Sequence, residues 1–450
     1  KLSSYAWWAY ELRGRYLLQK ALKVPQSGDT GGEAGGDLSQ CLEAAVSDLQ
    51  RSLELQDNAS PSSWYQLGMA YRQQGQLSSA KAALIRAHEL DPRSALPLSL
   101  LGSVCLQAAA FPWALQYLNM ALEIDPDHVP ALKAAAEVSM VRAYEYLQWN
   151  WVSGAARSMQ AGLVHARRAI ACCGHEGGEV KEEVPTCLWK LLGDLLMVSR
   201  HVDEAEFPSS PTSSSVKDSS RILCMREAEQ SYRKVVAAES QPSSPHARMA
   251  LALAWADVGS SLHAQLSLHY SAGGVGSGLV DQSSFEKGRL AESILAAQKE
   301  AVNAFTQGLQ VDERCVPCWL GLGKTLDHHD LAAAALSRAS QLDPGHGDAH
   351  LALALRYLKS GHDEAVDAAV ANVQMREGHP HAWILRGLLA ERRGLAWEGK
   401  DKEREAIDTR QAHDAYRVAL EVSKPAEALL GAAITFLRLH GVLSKEAQFS

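Results

Sequence analysis

Two cysteines have the spacing of a metal site. Cys315 and Cys318 form a C-x-x-C pair, and this spacing lets two thiolates bind one zinc ion. A structural zinc site needs a second pair of ligands at a suitable distance. His328 and His329 follow, but they are adjacent in the chain, whereas zinc-binding histidine pairs are separated by several residues. Because Cys315 stands at the start of a helical pattern, we interpret both cysteines as buried packing residues.

Two other stretches could do chemistry. The glycines within 273–278 could cradle a phosphate, but no strand precedes them and the chain has no G-x-x-x-x-G-K-S/T motif. Their Ser/Gly surroundings are typical of a flexible linker. The Cys-Cys-Gly-His stretch at 172–175 is typical of a helix C-terminus. We therefore predict no catalytic, cofactor-binding or metal-binding residue, and we expect that the chain is not an enzyme.

The composition limits the classes of protein to which the chain could belong. The 450 residues are 46% apolar and 21% charged, with alanine and leucine dominant, which favours helix over strand. The net charge is −8, from 44 Lys+Arg against 52 Asp+Glu. This balance argues against a protein whose main role is to bind nucleic acid directly. No uninterrupted apolar run reaches the roughly 18 residues of a membrane span, so we predict no membrane segment.

The cysteines and the first residue indicate the context of the chain. The eight cysteines lie within helical patterns or at helix edges, whereas disulfide frameworks are typical of small secreted domains. We expect reduced thiols and a cytoplasmic location, with the nucleus as the alternative. The sequence begins at Lys1 without a signal-peptide pattern, so we expect an internal segment of a longer protein.

The elements that position these residues repeat with a period of 34. The first set of repeated positions is Trp64, Leu67, Gly68, Tyr71, Ala80, Leu84, Ala87 and Pro92, and the second is Leu98, Leu101, Gly102, Cys105, Ala114, Leu118, Ala121 and Pro126. This period, with small residues in the second helix and a proline near the end, is the tetratricopeptide signature. The Asp-Pro steps end the second helix because proline cannot continue it. We interpret Asp91 and Asp125 as local turn residues.

The repeats predict an all-α fold. We expect a tetratricopeptide-repeat superhelical solenoid of about eight to nine helix hairpins, some with long helices and flexible inserts. The predicted segments are 1–60, a first helix pair with a Gly-rich loop; 61–128, two regular repeats; 129–184, an irregular long-helix repeat; 185–315, repeats with Ser-rich and Gly-rich inserts; and 316–450, the C-terminal repeats.

The concave surface of such an array is the candidate binding site. The first helix of each repeat lines this groove, and its positions two, five, nine and twelve point inwards. The predicted partner-binding residues are Ser62, Tyr65, Met69, Arg72, Leu96, Ser99, Ser103 and Leu106. The alternative is that these positions pack against a neighbouring polypeptide or a further turn of the superhelix.

Several motifs suggest a particular family. They are WYQLGMAY at 64–71, VPALK at 129–133, CLWKLLGD at 187–194 and, more weakly, CWLGLG at 318–323. The motif at 187–194, placed after a long-helix unit, is more specific than a generic repeat. On these residues the chain resembles the tetratricopeptide scaffold subunit of the superkiller complex. The specific motifs cover less than half of the chain.

This resemblance implies a non-catalytic scaffold. In that family the array wraps around a DExH-type RNA helicase and docks WD40 β-propeller subunits, and the complex threads mRNA 3′ ends into the exosome, including on stalled ribosomes. The helicase supplies the ATP chemistry. No individual contact residue follows from the resemblance, because the interaction residues of the family do not form a short motif here.

Two other functions stay open as alternatives. The chain could be the substrate-recruiting repeat region of an enzyme such as a glycosyltransferase, which predicts an asparagine-rich groove. It could also be a generic co-chaperone, which predicts a Lys/Asn/Arg cluster that grips a carboxylate. The predicted groove residues show neither pattern.

Overall fold

A computed structural model describes residues 7–23, 33–57, 59–174, 184–202, 220–239, 242, 244–272, 284–374, 380–397, 401–423 and 432. Throughout these ranges the regular structure is helical. The chain divides into two compact units, Lys1–Ser240 and Gln241–Ser450.

The described residues of the first unit form five helix hairpins, each made of consecutive helices that pack on one another. The helices are α1 (Trp7–Lys23), α2 (Glu33–Leu55), α3 (Pro61–Gln73), α4 (Leu77–Leu90), α5 (Ala95–Gln107), α6 (Phe111–Ile124), α7 (Val129–Gln148), α8 (Val152–Gly174), α9 (Thr186–Val198) and α10 (Ser220–Ala238). A short 3₁₀ turn at Ser199–His201 extends α9. Helices α7 and α8 have 20 and 23 residues, against 13 and 14 in the regular pair α3 and α4.

The described residues of the second unit form four hairpins. Its helices are α11 (Pro245–Ala272), α12 (Ser284–Val311), α13 (Val316–Thr325), α14 (His329–Leu342), α15 (Gly347–Ser360), α16 (Asp363–Gln374), α17 (Pro380–Trp397) and α18 (Lys402–Ser423). In each unit a hairpin packs on the next one along the chain. Nine hairpins therefore lie within the described residues, and the predicted class, an all-α tetratricopeptide solenoid with some long helices, is confirmed.

In seven of the nine described hairpins, a glycine in the first helix allows the second helix to pack closely. A Cβ atom placed on Gly68 would lie 2.7 Å from Leu84 Cγ, and one placed on Gly102 would lie closer still to Leu118. Only glycine leaves room for the leucine of the second helix at this distance. The same relation recurs in other hairpins, at Gly14–Leu49, Gly193–Tyr232, Gly259–Phe305, Gly323–Leu336 and Gly387–Tyr416.

The aspartates at the ends of the second helices form the predicted turns. The carboxylate of Asp91 accepts a hydrogen bond from the backbone N–H of Arg93 (3.3 Å). Asp125 does the same with Asp127 (3.2 Å). Such local bonds offer the backbone an alternative to the next helical turn, and α4 and α6 end one residue before these aspartates. The interpretation of Asp91 and Asp125 as turn residues is confirmed.

The two cysteines of the C-x-x-C pair lie in the core. Cys315 and Cys318 are buried and pack with Ala252 and Ala256 of α11. The Cys318 thiol donates to the Ala252 carbonyl at 3.5 Å. Its hydrogen bond with Cys315, together with burial, raises the pKa of Cys318. The prediction that these cysteines are packing residues is confirmed.

In the described ranges no group of three or more His, Cys, Asp or Glu side chains is arranged to hold a metal ion. None of the helices there is both long and apolar enough to span a bilayer.

The predicted inserts fall largely outside the described residues. This holds for the glycines at 28–32, for 209–219 of the Ser-rich insert and for the Gly-rich stretch 273–278. Residues 424–450 of the predicted C-terminal repeats lie there too, apart from residue 432.

The turns between the helices of the two regular repeats provide a matched test of backbone strain. Gly75 and Ala109 occupy equivalent positions with φ angles of 74° and 53°, a region that costs a residue with a Cβ atom about 1–2 kcal/mol. Replacing Ala109 by glycine removes this cost. Part of the gain in stability is offset, because glycine adds about 0.4–1 kcal/mol of unfolded-state entropy. Ala109→Gly is therefore expected to raise the free energy of unfolding by about 0.5–1 kcal/mol, and Gly75→Ala to lower it by a similar amount. Urea denaturation of both variants checks this, and equal signs would contradict it.

Candidate partner-binding groove

An open groove lies on the first helices of the hairpins in the Gln241–Ser450 unit. It has a volume of about 570 Å³ and is lined mainly by α13, α15 and α17. Single residues of α11 and α14, His263 and Leu336, complete the lining. This is the surface on which tetratricopeptide arrays are expected to bind other proteins.

The floor of the groove is apolar. Leu351 and Leu355 of α15 lie one helical turn apart on the same face, and Ile384 and Leu385 of α17 face them across the groove. The Leu355 side chain is 43% exposed, although leucine is usually buried. An exposed leucine beside a concave apolar surface fits the apolar face of a partner helix or strand.

The rim of the groove is mainly basic. Lys324, Arg356 and Lys359 line it, and Asp348 is the carboxylate among the described lining residues. Unlike charges across an interface favour the right partner and disfavour wrong ones. The groove therefore suits an amphipathic segment that carries acidic side chains beside its apolar face.

Arg356 has a structural role in this rim. Its guanidinium donates to the carbonyls of Gly323 (3.1 Å), Lys324 (3.3 Å) and Leu326 (2.7 Å). The last carbonyls of a helix have no hydrogen-bond donor within the helix. Arg356 supplies donors to these carbonyls at the C-terminal end of α13. It fixes α13 against α15 and thereby shapes the groove.

The predicted groove residues of the first regular repeat lie on α3. The Ser62 hydroxyl is exposed and donates to Glu11 of α1 at 3.2 Å. Tyr65 and Met69 are half-buried against the same apolar cluster, which joins α4 and α5. Burial raises the pKa of the Tyr65 phenol, and the charge of Arg72 opposes this rise. The structure thus brings Tyr65 and Met69 together over the α4–α5 core.

The predicted residues of the second repeat lie on α5 and differ in exposure. Leu96 is 46% exposed, whereas Ser99 is 5% exposed. The Ser99 hydroxyl donates to the Leu96 carbonyl at 2.9 Å and lies 3.3 Å from His128 Nε2. Ser103 donates to the Ser99 carbonyl at 3.2 Å, and Leu106 packs on the apolar cluster formed by α5, α6 and α7. The binding role of all eight residues stays a prediction.

Sequence reasoning missed the groove of the second unit. Its residues Leu351 and Leu355 alternate with the buried Leu353, so α15 carries more leucine than one buried face needs. Leucines on two faces of α15 were the sequence signal that could have revealed the groove. This signal indicates an exposed apolar surface but does not say which leucines form it.

Comparisons with known proteins agree with this architecture. A family profile described as tetratricopeptide repeat matches residues 61–94, which is the first of the two predicted regular repeats. The chain therefore contains a tetratricopeptide repeat within an all-α solenoid, and solenoids of this kind act as protein-interaction scaffolds.

Among curated proteins, the chain is similar to superkiller complex protein 3. The human protein is 27% identical over 187 residues, which cover 42% of this chain and 10% of the relative. The mouse protein is 26% identical over 187 residues with the same coverage. Tetratricopeptide repeat protein 37 of Xenopus laevis is 27% identical over 150 residues, 33% of this chain and 9% of the relative. These alignments span about a tenth of the length of the curated relatives.

Among solved structures, the chain is similar to the C-terminal part of a tetratricopeptide repeat-containing protein from Cytophaga hutchinsonii. It is 11% identical, covers 76% of this chain and 98% of that one, and superimposes with a TM-score of 0.41.

Proposed function

We propose that this chain is part of a non-catalytic scaffold of the superkiller type. It would hold a DExH-type RNA helicase and WD40 β-propeller subunits in the cytoplasm, so that the assembly passes mRNA 3′ ends to the exosome. The observation that carries the proposal is the alignment of 187 residues with superkiller complex protein 3. The motifs at 64–71 and 187–194 support it from the sequence.

The groove of the Gln241–Ser450 unit gives this scaffold a binding surface. Its apolar floor and basic rim fit an amphipathic, acidic segment of a partner subunit. The chain itself would carry out no chemistry, because the helicase would hydrolyse ATP. The same groove makes the proposal testable at one exposed residue, Leu355.

Affinity purification of the full-length protein under gentle conditions tests the assembly. We expect a DExH-type helicase and a β-propeller protein to co-purify in near-equal amounts. Leu355→Asp is expected to lower the recovery of one of them at least tenfold, since the new charge removes apolar contact and repels an acidic segment.

Leu395→Asp is the matched control for this variant. Leu395 is 49% exposed, close to the 43% of Leu355, but it does not line the groove. It should leave recovery unchanged. Absence of both partners from the wild-type purification would overturn the proposed function. An equal effect of Leu355→Asp and Leu395→Asp would show that the groove does not bind either partner.

A further inference from the structure

A second concave surface lies in the Lys1–Ser240 unit. It is a cleft of about 380 Å³ between α6 and α8, with α7 at its base. Binding sites for small groups and side chains are typically of this size or somewhat larger. The side chains that could bind a ligand there are Asn119, Arg142, Tyr146, Trp151, Arg157 and His165.

Two arginines in this cleft are paired with aromatic rings. The Arg142 guanidinium lies 5.1 Å from the centre of the Tyr146 ring and contacts its hydroxyl. The Arg157 guanidinium lies 5.4 Å from the centre of the Trp151 ring, and its Nε donates to the Ser153 carbonyl at 3.3 Å. Stacking on a ring holds a guanidinium in place but leaves its charge uncompensated.

The cleft has no carboxylate among its described lining residues. Within the part of the chain that the structure describes, neither Arg142 nor Arg157 forms an ion pair, whereas Arg167 and Arg168 of α8 pair with Glu227 and Asp127. Burial, and then the charge of Arg168, lower the pKa of His165, so this ring is neutral near pH 7. Two guanidinium groups thus face one cleft and lack an anionic partner among the residues that the structure describes.

The aromatic side of the cleft is fixed by a tight turn. Asn150 adopts a φ of 55° between α7 and α8, and the Trp151 N–H donates to the Tyr146 carbonyl at 2.8 Å. The Trp151 ring lies over Gly154, where a Cβ atom would come within 2.7 Å of it. The Tyr146 and Trp151 rings meet edge to face with their centres 4.7 Å apart. The rings are therefore preorganised before a ligand binds.

Two tryptophans of this turn are exposed. Trp149 is 66% and Trp151 46% exposed, and exposed tryptophans beside arginine are typical anchors of protein interfaces. An apolar side chain of a ligand can pack on these rings while its acidic neighbours pair with the arginines.

We propose that this cleft binds a short acidic peptide segment of a partner protein. Carboxylates of the peptide pair with Arg142 and Arg157, and an adjacent leucine or aromatic side chain packs on Trp151. A peptide fits better than RNA, because the chain carries a net charge of −8 and two arginines offer few of the successive phosphate contacts that RNA binding needs. The inference is independent of the superkiller proposal.

Selection of a random phage-displayed peptide library on the full 450-residue chain tests the inference. We expect enrichment of peptides with Asp or Glu next to Leu, Phe or Trp. The consensus is taken from peptides that also bind Leu355→Asp, and so do not need the groove of the Gln241–Ser450 unit, and the same selection on Arg142→Gln/Arg157→Gln should lose it. For the best peptide, anisotropy titration should show about tenfold weaker binding for each single variant, since each loses a charge-assisted bond.

Arg86→Gln is the matched control. Arg86 is an exposed arginine of α4 that pairs with Glu89 at 2.9 Å, so the variant loses the same charge outside the cleft. It should keep both consensus and affinity. The inference is overturned if wild type enriches no acidic consensus, if the arginine variants enrich the same one, or if polyuridine RNA binds through Arg142 and Arg157 while the peptides do not.

Discussion

Replacing Phe305 by alanine is expected to lower the free energy of unfolding of the Gln241–Ser450 unit by about 3–5 kcal/mol. The Phe305 side chain is fully buried in α12. A Cβ atom on Gly259 of α11 would lie 2.6 Å from its ring, and one on Gly321 of α13 would lie closer still. The ring therefore fills space both within its own hairpin and against the next one. Its removal leaves a cavity where two hairpins meet.

Urea denaturation followed by circular dichroism measures this effect, and hydrogen exchange locates it. Protection should fall in both α11 and α13, because both lose the ring as a neighbour. Leu295→Ala on the same helix is the control, since Leu295 is 53% exposed and should cost little. A loss below about 1 kcal/mol for Phe305→Ala would contradict a ring that fills this junction.

The regular repeats were predictable because their two helices keep a fixed spacing. Gly68 meets a leucine 16 positions later, and so does Gly102. In the fifth hairpin Gly193 meets Tyr232 instead, after the Ser-rich insert has separated the two helices. The helix contact is the same, but the period that reveals it is lost. Sequence reasoning found such helices from apolar spacing and could not assign the partner of each glycine.

The motif at 187–194 has a structural explanation. Its Asp194 accepts a hydrogen bond from the Tyr232 hydroxyl at 2.8 Å and lies 3.5 Å from Lys190 Nζ. The Lys234 Nζ atom lies 3.5 Å from the centre of the Trp189 ring. These contacts hold α9 on α10. The residues that carry much of the family resemblance therefore stabilise a hairpin, and this is why they did not locate a partner surface.

Neither concave surface could be predicted from periodicity. A pattern of apolar residues gives the buried face of a helix, but whether a second apolar face is open depends on the neighbouring helices. Leu355 stays exposed because α13 and α17 leave a groove over it. Arg142 and Arg157 lie 15 positions apart in the sequence, and the turn at Asn150 brings both into one cleft.

The effect of Gly102→Ala is expected to change sign with the residue at position 118. In the wild-type chain the new Cβ atom clashes with the Leu118 side chain, and such overpacking costs about 1–3 kcal/mol. The higher helix propensity of alanine offsets this by about 1 kcal/mol at most. Gly102→Ala alone should therefore destabilise the Lys1–Ser240 unit.

Leu118→Ala removes the clash and by itself costs about 2–5 kcal/mol, because Leu118 is fully buried. In that background Gly102→Ala should stabilise the unit by about 1 kcal/mol, since the helix propensity remains and the new methyl group fills part of the cavity. A double-mutant cycle by urea denaturation measures the coupling. The same cycle at Gly68 and Leu84, the equivalent pair of the preceding repeat, should give the same reversal. If Gly102→Ala changes the free energy of unfolding in the same direction in both backgrounds, Gly102 is not needed to make room for Leu118. The shared spacing of the two repeats would then need another cause.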